Sequence, residues 1–128
     1  DPEMLFQVVY PLTFSEDWIA ANRETLDLAR ERYNSLDFDS FLQLLLCFSK
    51  LDITADLHRI AAPTLVVSGE LDLLKPRRYS EIIAREIPDA EFAVIPQAGH
   101  AAMWERAGVF NSLVLGFLAK HGEIDTGG

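Results

Sequence analysis

Two short strings hold the residues best suited to chemistry. Asp72 ends Leu65-Val66-Val67-Ser68-Gly69-Glu70-Leu71-Asp72, and His100 ends Val94-Ile95-Pro96-Gln97-Ala98-Gly99-His100. Each is a β-branched apolar run that breaks at glycine and then presents a group able to take or give a proton. A histidine that acts as a general base must hold one tautomer and one orientation. A carboxylate accepting from Nδ1–H fixes both and stabilises the imidazolium that forms. Asp72 and His100 therefore read as an acid and a base, two thirds of a catalytic triad whose nucleophile is not in this chain.

Other residues able to do chemistry read differently. Glu70 is the rival acid, but it directly follows Gly69 and is expected to point elsewhere. His58 falls in a helical linker and His121 near a frayed end, so both read as bystanders. Glu105 reads as a structural cap or salt-bridge residue near the last helix. Lys75, Arg77 and Arg78 flank Pro76 at a helix start and read as a solvated face. Cys47, inside Leu44-Leu45-Leu46-Cys47-Phe48, reads as a buried, inert thiol. Gly99 and Gly69 are expected to let their loops turn sharply.

The elements that must position the pair follow from periodicity. Thr64 to Ser68 is a continuous apolar run of the kind buried on both faces of a parallel sheet. Pro76 opens a helix with Tyr79, Ile82, Ile83 and Ile87 on one face, and Pro88-Asp89 breaks it. Glu91 to Ile95 is a second strand. Ala107, Phe110, Leu113, Val114, Phe117 and Leu118 form a final helical stripe. Strand, helix, strand, helix is a parallel βαβ unit with a right-handed crossover. Both strands then end on one sheet edge, about 4.8 Å apart if they are neighbours. Ligands of open α/β sheets bind outside that edge.

The first ~60 residues read instead as helix after helix. Asp1 caps a helix with Pro2 at its first position, running to about Val9 and ended by Pro11. Ser15 caps a short helix with Glu16 and Asp17 in its first turn. A third runs from about Arg23 to Tyr33, with Leu26, Ala29 and Tyr33 on one face. Asp37 caps a fourth, Phe38 to about Lys50. Phe38, Phe41, Leu42, Leu44, Leu45, Leu46, Phe48 and Leu51 surround this fourth helix almost completely, so it is expected to be covered on more than one side. One of its faces would roof an apolar pocket if it has a function.

Bulk properties narrow the function classes. A chain of 128 residues that is 49% hydrophobic is one domain or less. A formal net charge of −9 argues against nucleic-acid backbones and anionic membranes. There is no run of about 18 apolar residues for a membrane span. The single cysteine cannot form an internal disulfide, so a reducing, cytoplasmic setting is expected. The start, Asp1-Pro2-Glu3-Met4, lacks a signal-peptide shape and reads as a cut piece. Nothing calls for a metal or an organic cofactor. There is no internal repeat, and the end, 122–128, reads as a flexible tail.

The stretch from Ile60 to Leu118 resembles the C-terminal part of the α/β-hydrolase fold superfamily. The resemblance is carried by Ala62-Pro63-Thr64-Leu65-Val66-Val67-Ser68-Gly69-Glu70-Leu71-Asp72, by Ile87-Pro88-Asp89-Ala90, and by Ile95-Pro96-Gln97-Ala98-Gly99-His100, with Glu105 and Phe117-Leu118 following. It implies that Asp72 is the triad acid and His100 the triad base. It also implies that residues 1–58 are the helical cap (lid) and residues 59–121 the C-terminal β-α-β-α part of the core. The expected fold is thus α/β, the C-terminal portion of an α/β-hydrolase.

One departure from the family's pattern matters. Ser15, Ser35, Ser40, Ser49, Ser68, Ser80 and Ser112 are the serines, and none has the glycine flanks of a nucleophile elbow. The expectation is a fragment of an enzyme that cleaves a small, fairly apolar ester, lactone or related substrate. Its partner would be the missing N-terminal half or a second copy of the chain. The alternative is a non-catalytic binding or assembly module on the same scaffold.

Overall fold

The computed structural model describes residues 1–122. Its heart is a two-stranded parallel sheet, β1 (Leu65–Gly69) and β2 (Glu91–Ile95), joined through helix α5 (Arg77–Glu86). The register pairs Leu65 with Glu91 and Gly69 with Ile95, so both strands end level at one edge. The strand–helix–strand–helix order read from periodicity is the one observed, with α5 starting at Arg77 and Pro76 as its N-cap residue. A short α6 (Ala102–Glu105), absent from the sequence reading, precedes α7 (Ala107–His121).

Alternation along the strands sets the two faces. Val67 and Ile95 share one face and pack with Phe110 and Leu113 of α7, together with Ala98 and Ala102. Val66 and Ser68 point the other way and are buried. Phe92 is on that second face, where the Arg77 guanidinium of α5 lies 5.7 Å from its ring. Ile95 is 0% exposed and ends β2 immediately before the histidine loop. The core is therefore densest at the edge where the candidate pair sits.

The N-terminal region is helical as expected: α1 (Pro2–Thr13), α2 (Glu16–Ala21), α3 (Arg23–Asn34) and α4 (Phe38–Phe48), then a 3-10 turn over Thr54–Arg59. The three expected caps form. Asp1 accepts from the Glu3 N–H (3.0 Å), Ser15 from Trp18 (3.4 Å) and Asp37 from Ser40 (3.3 Å). Phe6 of α1 and Leu26 of α3 are buried, and the Phe6 ring lies 5.2 Å from Tyr10 and 5.5 Å from Tyr33.

Three expectations for this region need correction. Pro11 does not end α1, which continues to Thr13. The ring removes only one backbone donor, and the last turn closes anyway, through Phe14 N–H to Tyr10 (3.1 Å) and the Thr13 hydroxyl to Val9 (2.9 Å). Helix α4 has no buried residue, and Leu44, Leu45, Leu46 and Phe48 are all more than half or about half exposed. Its apolar girdle reads correctly from the sequence, but among the described residues only the Phe41 side meets another element, through the Tyr33 ring of α3 at 6.5 Å, and the Leu44–Phe48 stretch stays open. For the same reason Cys47 is exposed rather than buried. Its neighbours are apolar in sequence, but no other element packs over them.

Candidate active site

Asp72 lies three residues beyond the end of β1, and His100 five beyond the end of β2. His100 Nδ1 is 2.9 Å from Asp72 Oδ2. The other carboxylate oxygen of Asp72 accepts from the Lys75 backbone N–H at 2.7 Å. Asp72's side chain is 7% exposed and that of His100 40%. An almost buried carboxylate with both oxygens engaged is a fixed acceptor. With Asp72 ionised, Nδ1 carries the proton and Nε2 of the neutral ring keeps its lone pair, as a general base requires.

The two loops form one hydrogen-bonded unit. The Glu70 N–H donates to Ile95 (2.9 Å), and the Leu71 N–H donates to Ala98 (2.8 Å). The Glu70 carboxylate accepts from the Gln97 N–H at 2.8 Å. Glu70, the rival acid, thus braces the histidine loop through its backbone, while Asp72 takes the ring. Arg106 adds a further tie by donating to the Gln97 side-chain oxygen at 3.0 Å.

The glycines act differently from the expectation. Neither Gly69 nor Gly99 has positive φ, whereas Gln97 takes the left-handed turn at φ 53°. Gly69 is needed because the loops touch there. A Cβ on it would lie 2.0 Å from the Gly99 carbonyl oxygen and 2.5 Å from that of Ala98. A Cβ on Gly99 would lie 2.7 Å from the Thr13 oxygen and 2.8 Å from Glu105 Oε1. Both glycines serve close backbone approach rather than turn geometry.

The remaining candidates fall elsewhere. His121 is the last residue of α7, and its Nε2 is 2.6 Å from Glu91 Oε1 at the opposite end of the sheet. Its bond to Glu91, and then the Lys120 ammonium 3.1 Å away, hold the Glu91 carboxyl below the ordinary carboxylate value. His58 lies in the 3-10 turn and, with His121, Pro63 and Pro88, lines a surface cavity of about 490 Å³. Arg77 pairs with Glu81 at 2.7 Å, Arg78 lies 4.7 Å from the Tyr79 ring, and both arginines are exposed, as is Lys75. Among the described residues no cluster of three or more His, Cys, Asp or Glu is placed to hold a metal ion. No helix among them is long and apolar enough to cross a membrane. The expected tail beyond Gly122 lies outside the described residues, and Gly122 itself closes α7 by donating to Leu118 at 2.6 Å.

Sequence reasoning underrated Glu105. Its Oε1 accepts from the Gly99 N–H at 2.9 Å, and its Oε2 accepts from the Ser15 N–H at 3.1 Å and from the Ser15 hydroxyl. The sequence signal was its place five residues after His100, too local to show a partner ninety residues away.

Comparison with known proteins decides the family. A profile described as alpha/beta hydrolase fold matches residues 9–107. The chain belongs to the alpha/beta hydrolase fold family. It is 35% identical over 111 residues to the "Putative carbamate hydrolase RutD" of Stutzerimonas stutzeri (strain A1501), a match covering 84% of this chain and 41% of that protein. It is 41% identical over 72 residues to the 2-hydroxy-6-oxo-6-phenylhexa-2,4-dienoate hydrolase of Burkholderia cepacia, covering 56% of this chain and 25% of the relative. A solved thermophilic esterase from Thermogutta terrifontis superposes with a TM-score of 0.83 at 27% identity, over 94% of this chain and 45% of that one. The chain thus spans less than half the length of these hydrolases, and its fold is the corresponding portion of theirs.

Proposed function

We propose that this chain supplies the acid and the base of a hydrolase active site, and that the nucleophile and oxyanion donors come from polypeptide outside these 128 residues. The observation that carries the reading is the 2.9 Å contact between His100 Nδ1 and a nearly buried Asp72 at the common edge of two parallel strands. Nε2 of His100 takes the nucleophile's proton as it attacks the substrate carbonyl, then returns that proton to the leaving group. Asp72 holds the ring and stabilises the imidazolium. None of this chain's serines has the glycine-flanked spacing of a nucleophile elbow, and Ser68, nearest the edge, is buried.

The substrate class in this reading is a small, fairly apolar ester, lactone or related acyl compound. Support comes from the names of the three proteins compared above, two hydrolases and an esterase, and from the apolar helix α4 within residues 1–58, the region we assign as the cap. The single cysteine, which cannot close an internal disulfide, favours a reducing cytoplasmic setting.

The test uses p-nitrophenyl acetate. The chain alone should not turn it over. The same coding region, extended upstream through a glycine-flanked Ser or Cys, should. In that longer protein His100→Ala should lower kcat by about 10⁴-fold. Turnover by the isolated chain, or unchanged turnover after His100→Ala, overturns the reading.

A second reading, a non-catalytic assembly module, has two observations in its favour: the exposed apolar residues of α4 and, among the described residues, the two unpaired edges of the sheet. It predicts association with a second copy, visible as a concentration-dependent dimer in size-exclusion chromatography. A monomer at every concentration counts against it.

A further inference from the structure

His100 is held from two directions. Asp72 fixes its ring from the β1 side. The peptides on either side of it are fixed from the helical region. The Gly99 N–H donates to Glu105 Oε1 at 2.9 Å, and the Ala101 N–H donates to the Thr13 carbonyl at 3.1 Å. Glu105 also accepts both donors of Ser15, the buried N-cap of α2. One carboxylate therefore joins the residue before His100 to the short segment linking α1 and α2. A carboxylate can accept all three of these hydrogen bonds. A glutamine amide, with one acceptor oxygen, cannot.

Between α2 and the histidine loop lies a cleft of about 180 Å³, bordered by Ser15, Trp18, Asn22, Gln97, Glu105 and Arg106. Among the described residues the aromatic contact across this seam is that of Phe14, whose ring is 6.2 Å from that of Trp104. The polar clasp thus acts together with the close backbone approach of Gly99 to Thr13 in setting how segment 13–15 sits on the loop.

We propose that Glu105 is a positioning residue: through Ser15 and Gly99 it ties the placement of the helical region to the orientation of His100. The inference rests on the catalytic reading of His100 and Asp72. When segment 13–15 is seated, the peptides flanking His100 are fixed and Nε2 is aimed. When the segment lifts, the Gly99 N–H loses its acceptor geometry and the ring is held by Asp72 alone. Binding of substrate beneath the helical region is thereby coupled to the aim of the base. Misplacement of a catalytic group by about 1 Å is enough to cost up to 10²-fold in rate.

The experiment uses the longer, active protein with p-nitrophenyl acetate, together with NMR of ¹⁵N-histidine-labelled protein. Asp72→Asn, Glu105→Gln, Ser15→Ala and Ser15→Thr are compared. Glu105→Gln should lower kcat about tenfold with KM nearly unchanged. It should also move the His100 ¹⁵Nδ1 shift toward its value in Asp72→Asn, leaving the His121 ring signals in place. Ser15→Ala should produce a smaller change of the same kind, and Ser15→Thr, which restores the hydroxyl, should reverse it. If Glu105→Gln fails to fold, the Ser15 pair decides the matter. A lower melting temperature with kcat and the His100 resonance unchanged in these variants overturns the proposal. If Asp72→Asn itself leaves rate and resonance unchanged, the catalytic reading fails and takes this inference with it. If Asp72→Asn moves both and the Glu105 and Ser15 variants move neither, only the clasp fails.

Discussion

The sheet carries an acid–histidine pair at each end, and the two pairs differ in ways that matter chemically. At the carboxyl edge, His100 uses Nδ1 and meets a carboxylate that is 7% exposed. At the amino edge, His121 uses Nε2 and meets Glu91, whose side chain is 38% exposed and shared with Lys120. The first pair lies on two loops locked together by backbone hydrogen bonds. The second joins the start of β2 to the last turn of α7. Contact between an acid and a histidine is thus not enough to mark a site. Burial of the acid, the ring nitrogen engaged and the edge of the sheet separate a candidate catalytic dyad from a surface ion pair.

The sharpest way to break that contrast is to neutralise each acid in the longer active protein. Asp72→Asn should cut kcat by about 10⁴-fold, because the histidine loses the partner that selects its tautomer. Glu91→Gln should leave kcat unchanged. Equal losses, measured with the same ester, would erase the distinction. A second test concerns the ground beneath the first pair. Ile95, 0% exposed, ends the strand that delivers His100. Ile95→Ala should destabilise the fold by about 4 kcal/mol in urea unfolding. Gly69→Ala should cost about 3 kcal/mol, since its Cβ would strike two carbonyl oxygens of the histidine loop and force the loops apart.

The smallest effect concerns pH at the second pair. Glu91 is held below its ordinary value of 4.5 in the folded state, chiefly by His121. A lowered carboxyl contributes stability that is fully present above the unfolded value and lost as pH falls through the folded one. Wild type and Glu91→Gln should therefore differ most above about pH 4.5 and converge at lower pH, as followed by thermal melts. A difference that grows on acidification would contradict the assignment.

Much of this arrangement was legible along the chain. The strands at 65–69 and 91–95 appear as apolar runs, and the caps at Asp1, Ser15 and Asp37 are visible as side chains at helix starts. Asp72 and His100 could be paired because parallel topology brings equivalent strand ends together. Other features were not legible. The exposure of α4 depends on what packs against it, which periodicity does not report. The extension of α1 past Pro11 depends on how the last turn closes.

The sequence by itself determined the two strands, the main helices, their order and the meeting of Asp72 with His100, because periodicity, capping and chain topology are properties of neighbouring residues. Tertiary structure alone decided that Gly69 is a point of contact rather than a turn, that Glu70 braces the loop, and that Glu105 reaches Ser15 across ninety positions. Those facts depend on distances through space between segments far apart in the chain, and no local pattern records them.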